Sequence, residues 1–400
     1  MQPRSSPPPE SIGYGRHSID ESDLAAVAAV LRGDTLTQGS AVPAFERALE
    51  AVTGAPHAIA VANGTCALHL AYHALGVGPG RALLTTANTF LATATAAQMC
   101  GAEVGFVDID PRTGNLDLEL LERRLARGPV PHVVTVVHFA GLPCDMERIL
   151  ALKRRHDFLL VEDAAHALGA RYQIDGRWFR VGEHPEIDAT ILSFHPVKHV
   201  TTAEGGALLV KDEALAARLR RLRSHGTDPS STLTPFGQEG PRPAWFNPML
   251  ELGFNYRLTD MQAALGTSQL ARLPAFLKER RTLAARYHAA LEGFEFLASG
   301  AERGDREHAW HLFVVRCPEG ERDPLLAHLH AHGVRAQVHY YPVPLQPWFR
   351  ERGGGGTFAG ALEHARRSLS LPLFPGLGEA GQERVLELLG AWSRTRRRAA

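Results

Sequence analysis

Phe158-Leu159-Leu160-Val161-Glu162-Asp163-Ala164-Ala165-His166, followed by Ala189-Thr190-Ile191-Leu192-Ser193-Phe194-His195-Pro196-Val197-Lys198, decides how this chain folds. Each segment opens on a short, nearly unbroken apolar run and ends in chemically capable side chains. Short runs without polar alternation suit strands buried on both faces of a sheet. Five more runs share the character, at residues 58–61, 82–85, 104–107, 133–137 and 207–210. Between them lie helical stretches at 66–75, 90–100, 116–125 and 146–156. Strand alternating with helix predicts an α/β fold: a mostly parallel seven-stranded sheet with helices on both faces, joined by right-handed crossovers.

Outward from that centre the pattern changes. Ser18-Ile19-Asp20 precedes Leu24, Val27, Ala28 and Leu31 on one helical face, a capped helix ending near Gly33. Residues 43–52 read as a second helix, stopped by Gly54. Beyond Lys211 the chain becomes mainly helical, with a Pro-, Gly-, Ser- and Thr-rich loop over 226–250 and a long helix over 273–291. Strands at 310–315 and 333–338 predict a small C-terminal α+β domain, and 353–356 reads as a flexible glycine loop. The expected organisation is a disordered tail (1–13), a large domain with an N-terminal helical segment (14–270), a small domain (271–392) and a basic tail (393–400).

Forty-three basic and 43 acidic residues leave no net charge to recruit nucleic acid or an acidic membrane surface. Cys66, Cys100, Cys144 and Cys317 have no metal-type spacing and read as small fillers in a reducing, cytoplasmic setting, with no metal site expected. No apolar stretch is long enough to cross a bilayer. The first nine residues are polar and proline-rich and lack a signal peptide's apolar region.

The chemistry lies at the strand ends. Asp163, followed one strand–loop unit later by Lys198 among small polar residues, meets the needs of pyridoxal phosphate (PLP). The amine holds the cofactor aldehyde as a Schiff base, and the carboxylate keeps the ring nitrogen protonated. Read singly, Lys198 is as compatible with a surface lysine, Asp163 with a cap and His166 with a satisfied buried histidine. Together they favour the cofactor, with His166 at its ring. Asn63-Gly64-Thr65, between a strand and a helix, offers backbone N–H groups to an anion, so it reads as a phosphate cup or as a plain N-cap. Ser193 adds a hydroxyl to that cup, and Phe90 is placed either to stack on the ring or to join the core.

These segments, with Gly253-Phe254-Asn255-Tyr256-Arg257, resemble the DegT/DnrJ/EryC1/StrS family of PLP-dependent sugar aminotransferases from about Tyr14 to Pro375. The resemblance implies PLP fold type I and a homodimer with shared active sites, Asn255 reaching the partner's cofactor phosphate. Leu36-Thr37-Gln38-Gly39, Val137-His138-Phe139-Ala140-Gly141, Arg223-Ser224-His225-Gly226 and Ala336-Gln337-Val338-His339-Tyr340 are most similar to the subgroup that aminates UDP-linked sugars for pseudaminic acid. In that subgroup the positions of Tyr14, Asp34, Thr35, Leu36, Thr37, Gly64, Ser193, Val338, His339 and Tyr340 line the ligand site. The chain departs from it in Asn63-Gly64-Thr65, where the subgroup carries Asn-Ser-Ala-Thr, and in Pro344, where many relatives carry His. The implied activity is transfer of an amino group from an amino acid, L-glutamate, to the keto carbon of a nucleotide 4-keto-6-deoxysugar. C3 amination of a dTDP-sugar is the alternative within enzymes. A non-catalytic PLP-fold regulator is the alternative outside them. No nucleic-acid or membrane partner is expected.

Overall fold

The computed structural model describes residues 11–399 apart from 238, 293, 295–296, 299–303 and 353–355. Seven strands form the central sheet: β1 (His57–Val61), β2 (Leu83–Thr86), β3 (Val104–Val107), β4 (Val133–Val137), β5 (Leu159–Asp163), β6 (Ala189–Ser193) and β7 (Gly206–Val210). Their spatial order is β1-β7-β6-β5-β4-β2-β3. From β6 to β3 all pairings are parallel, whereas β7 runs antiparallel to both its neighbours. The reversal fits its connection: residues 194–205, which join β6 to β7, form no helix that could carry a crossover to a parallel strand.

Strand side chains divide alternately between two cores. Ala58, Ala60, Leu160, Leu192 and Leu209 face one layer with Phe45, Leu49, Ile149 and Phe194. Ile59, Val61, Val161, Ile191 and Leu208 face the other with Leu68, Tyr72 and Leu219. Burial on both faces is why the strands read as continuous apolar runs.

A C-terminal three-stranded antiparallel sheet has Phe313–Arg316 between Leu297–Ala298 and Ser368–Leu371. It packs a third core with Leu325, Leu329, Val385 and Leu389. The long helix is Asp260–Leu291, so it begins well before the 273 that its apolar spacing alone suggested. Thr259 caps it reciprocally with Gln262, and Pro274 lies inside it. Its Leu270, Leu273, Phe276 and Leu277 join the sheet's core, and Leu283, Ala284, Tyr287 and Leu291 join the C-terminal one. The seam between the two cores therefore falls between 277 and 283.

Other differences are local. Ile12–Gly13, placed in the tail by sequence, pairs in parallel with Val334–Arg335, and that short strand replaces the one expected over 333–338. The rest of the expected tail, residues 1–10, lies outside the described residues, as does the 353–356 loop apart from Gly356. The expected basic tail is the end of a helix, Gly378–Ala399, with Arg396 paired to Glu321 at 2.8 Å. A hairpin, Arg171–Ile174 with Arg177–Arg180, was not foreseen. Among the described residues no helix is long and apolar enough to cross a membrane.

Candidate active site

β5 and β6 end side by side, and their last residues begin a cleft of about 770 Å³. Alternation along β5 sends Glu162 and Asp163 to opposite faces. Glu162 is fully buried and accepts from Tyr172 Oη (3.0 Å), Thr190 Oγ1 (2.7 Å), the Gly182 N–H (3.2 Å) and His138 Nε2 (3.3 Å). The Cys144 N–H donates to His138 Nδ1 at 3.1 Å, which leaves the His138 proton on Nε2, facing the carboxylate. The strand end is thereby fixed from below while Asp163 faces the cleft.

Asp163 Oδ2 accepts from Thr93 Oγ1 at 2.7 Å and Oδ1 from the Ala165 N–H at 3.2 Å. Burial pushes its carboxyl above the ordinary range, and these two donors and the Lys198 amine pull it back.

The β6–β7 loop folds back on itself. Phe194 O accepts from Thr202 N (3.0 Å) and Thr201 Oγ1 (3.1 Å), and the Phe194 N–H donates to Gly205 O (2.8 Å). Lys198 rises from this closed loop into the same cleft as Asp163. Burial lowers its amine to about 8, with Asp163 opposing and Arg280 adding to the fall. The amine and the carboxylate therefore share one chamber and feel each other's charge.

Asn63-Gly64-Thr65 lines the cleft's far end. Asn63 caps the helix Gly64–Ala74, its Oδ1 accepting the Cys66 N–H at 2.9 Å. Ahead of that bond, the N–H groups of Gly64 and Thr65 open the helix and have no acceptor within it, as an anion site requires. Two glycines make the turn possible. A Cβ on Gly206 would lie 2.5 Å from Asn63 O, and one on Gly64 would lie 3.2 Å from Ser193 Cβ. Ser193 lines the same end.

His166 forms the wall beside Asp163. Its Nε2 meets Tyr340 Oη at 3.2 Å, its ring lies nearly parallel to that of Tyr340, and its buried Nδ1 has no partner. Burial drives its pKa well below the usual histidine value, so the ring is neutral. Phe90 sits just before the helix Leu91–Met99 and projects into the cleft mouth, 57% exposed. This is the open position a ring-stacking residue needs, and the core reading does not hold. Tyr14, Val338, His339 and Tyr340 also line the cleft, Tyr14 and His339 edge to face at 5.1 Å.

The remaining candidates do not reach this cleft. Asp34, Thr35, Leu36 and Thr37 form an exposed strip whose Leu36 O accepts the Asp260 N–H at 2.9 Å. Asn255 is exposed and bridged through its backbone to Ser224. Sequence reasoning missed Thr93, Thr89, Glu204 and His311. Thr93 was the most accessible of these, three residues beyond Phe90 and so on the same helical face. His311 had no local signal, because its place depends on long-range pairing of its N–H with Ala140 O.

The sequence profile of the DegT/DnrJ/EryC1/StrS aminotransferase family matches residues 17–390. The chain belongs to this family. Helicobacter pylori PseC, an aminotransferase involved in the biosynthesis of pseudoaminic acid, superposes with a TM-score of 0.88 at 26% identity, over 96% of this chain and 100% of that one. DesV from S. venezuelae does so with a TM-score of 0.81 at 34% identity, over 93% and 94% of the two chains. The PLP-form of Spr1654 from Streptococcus pneumoniae gives 0.86 at 26%, over 96% and 99%. The architecture of this aminotransferase is PLP fold type I, and its activity is that of a sugar aminotransferase. Its residues fit PLP. A lysine amine, a buried carboxylate, a glycine-lined cup at a helix start and an orphaned histidine nitrogen converge on one cleft.

Proposed function

We propose that this aminotransferase moves an amino group from L-glutamate to C4 of a UDP-linked 4-keto-6-deoxysugar. The observation that carries the core of the reading is the shared chamber of Lys198 and Asp163, with Lys198 lowered to about 8. The finer reading, UDP and C4, is supported by the similarity to PseC over its entire length and by the pseudaminic-type segments around Thr37, Ala140 and His339.

Bound PLP supplies an aldehyde carbon that carries the amino group and a ring that accepts electrons. Asn63, Gly64, Thr65 and Ser193 would hold its phosphate, and Phe90 would cover its ring. Asp163 keeps a proton on the ring nitrogen. Thr93 keeps the Asp163 carboxylate in its charged form. An amine near 8 is partly neutral at physiological pH, so Lys198 Nζ would hold the cofactor's aldehyde carbon and, when free, would accept the proton from the donor's α-carbon. In the second half-reaction Nζ gives a proton to the sugar carbon that becomes the amine carbon. His166, neutral and held by Tyr340, sides the ring without adding charge. Tyr14 and residues 338–340 wall off water and contact the sugar.

The exposed strip 34–37 and Asn255 acquire a role in a two-fold dimer, where each reaches the partner's cleft. Exposed Trp245, Met249, Leu250 and Leu252, flanking Asn255 in sequence, support burial against a second copy. Four free cysteines suit work in the reducing cytoplasm.

The test is mass spectrometry of products from UDP- and dTDP-linked 4-keto and 3-keto sugars with glutamate. Amine appearing on the UDP-4-keto sugar is the expected result. Amination confined to a dTDP-3-keto sugar would overturn the UDP and C4 assignment. No product with any sugar, from protein that binds PLP, would overturn the whole reading.

A further inference from the structure

Arg280 lies on the helix Asp260–Leu291 between Leu277 and Leu283, at the seam where that helix leaves one core for the other. It is completely buried, among the largest such side chains of the protein. No carboxylate pairs with it among the described residues. Nη1 alone donates to three carbonyls, Trp310 O (3.1 Å), His311 O (3.2 Å) and Leu373 O (2.9 Å), and Nε and Nη2 have no partner. A seam-filling role does not account for this side chain. Burying an unpaired cation is costly, and an apolar residue of like volume fills such a space without that cost.

The three carbonyls belong to segments that build the cleft. His311 lines it, its ring 4.4 Å from that of His166 and its buried Nδ1 unpartnered. The Leu373 N–H donates to Tyr14 O at 3.0 Å, and Tyr14 lines the same cleft. The His311 and Leu312 N–H groups both donate to Ala140 O (2.9 and 3.1 Å), so the segment is tied to the sheet side as well. One guanidinium nitrogen thus gathers both segments at the junction of the cores.

We propose that Arg280 is a positioning residue of this site, pinning the His311 and Tyr14 segments to the cleft wall and placing an unpaired positive charge behind the chamber that holds Lys198.

The charge argument has a definite sign. The groups facing Lys198 are Asp163, His166, His195, His199, His311 and His339. Asp163 favours the ammonium. Burial keeps His166, His199, His311 and His339 neutral near pH 7, so they offer no competing cation. Arg280 is the fixed positive charge that disfavours the ammonium. Burial lowers Arg280 itself only to about 10, with neighbouring Glu279 opposing, so it stays charged throughout the working range. His199 and His311 feel it too, which helps hold both neutral.

This inference rests on Lys198 being the amine that holds the cofactor, and the experiment separates the two. Cofactor-free protein is mixed with PLP across pH 6–10, captured cofactor is fixed by borohydride, and the labelled lysine is identified and counted by peptide mass spectrometry. Label on a lysine other than Lys198 would sink the functional reading itself. With label on Lys198, Arg280→Met is expected to raise the midpoint of capture by about one pH unit, roughly tenfold less free amine near neutrality. Arg280→Lys keeps the charge and is expected to hold the midpoint within a few tenths of a unit. Because a single ammonium replaces the guanidinium fork, it is also expected to raise KM for the sugar several-fold. A folded Arg280→Met with an unmoved midpoint would refute the electrostatic role. If that variant does not fold, Arg280→Lys decides: a midpoint raised by a full unit refutes the charge role, and an unchanged KM refutes the pinning role.

Discussion

Thr93→Val removes one hydroxyl from a fully buried side chain and leaves its shape nearly intact. That hydroxyl donates to Asp163 Oδ2 at 2.7 Å and also meets Thr89 Oγ1 at 2.7 Å. A hydrogen bond to a charged group contributes about 1.5–3 kcal/mol. At about 1.4 kcal/mol per pKa unit, losing it raises the Asp163 carboxyl by roughly 1–2 units. Burial already holds that carboxyl above its ordinary range. Only the ionised form can keep a proton on the cofactor's ring nitrogen, so activity falls as pH drops through the carboxyl's pKa. The acid limb of kcat against pH should therefore move upward by about 1–2 units. Thermal unfolding of the same preparation should show a loss of about 1–3 kcal/mol from the two broken hydrogen bonds. A variant that folds, binds PLP and keeps both its acid limb and its kcat would show that Thr93 does not tune Asp163.

Lys198→Met should abolish turnover and yet stabilise the cofactor-free protein. The folded-state amine is depressed to about 8, so the folded protein binds fewer protons than the unfolded one between that value and the ordinary lysine range. Wild-type stability then rises with pH through this window, and below it a constant penalty remains, which the variant lacks. The expected gain at pH 7, discounted for the amine's partial access to solvent, is about 1–3 kcal/mol, narrowing above pH 8. Substantial aminotransfer by the variant, or a lower melting temperature at pH 7, would contradict this account. Gly206→Ala should spare the fold but weaken PLP binding at least tenfold. Its new Cβ would meet Asn63 C and O at 2.5 Å, and the cup has to shift. Absorbance titration of the cofactor-free variant measures the loss, and unaltered affinity would remove the cup from that end of the cleft.

The sheet was legible because burial on both faces leaves an uncamouflaged apolar run, as in Leu160-Val161 and Ile191-Leu192. Lys198 and Asp163 were legible for a related reason: polar, reactive residues directly after such runs sit at strand ends, where an α/β fold gathers its chemistry. The seam was not. Gly266 and Pro274 interrupt the helix Asp260–Leu291, and local propensity reads them as breaks although packing on two cores overrides them. Arg280 looks like any helix-surface arginine in sequence, because nothing local announces that three carbonyls from residues 310, 311 and 373 converge on it. The strip 34–37 and Asn255 came only from family likeness, and a single chain leaves them outside the cleft.

The reversed strand β7 has a consequence for biosynthesis. Among the described residues the strand that β1 pairs with in the sheet is β7, whose first residue, Gly206, comes 145 positions after Val61. At ribosomal rates of about 5–20 residues per second, that stretch takes roughly 7–30 s to emerge. Throughout that interval β1 and the turn behind it have no docking edge, and nascent chains stalled before Val210 should be the ones that chaperones hold longest.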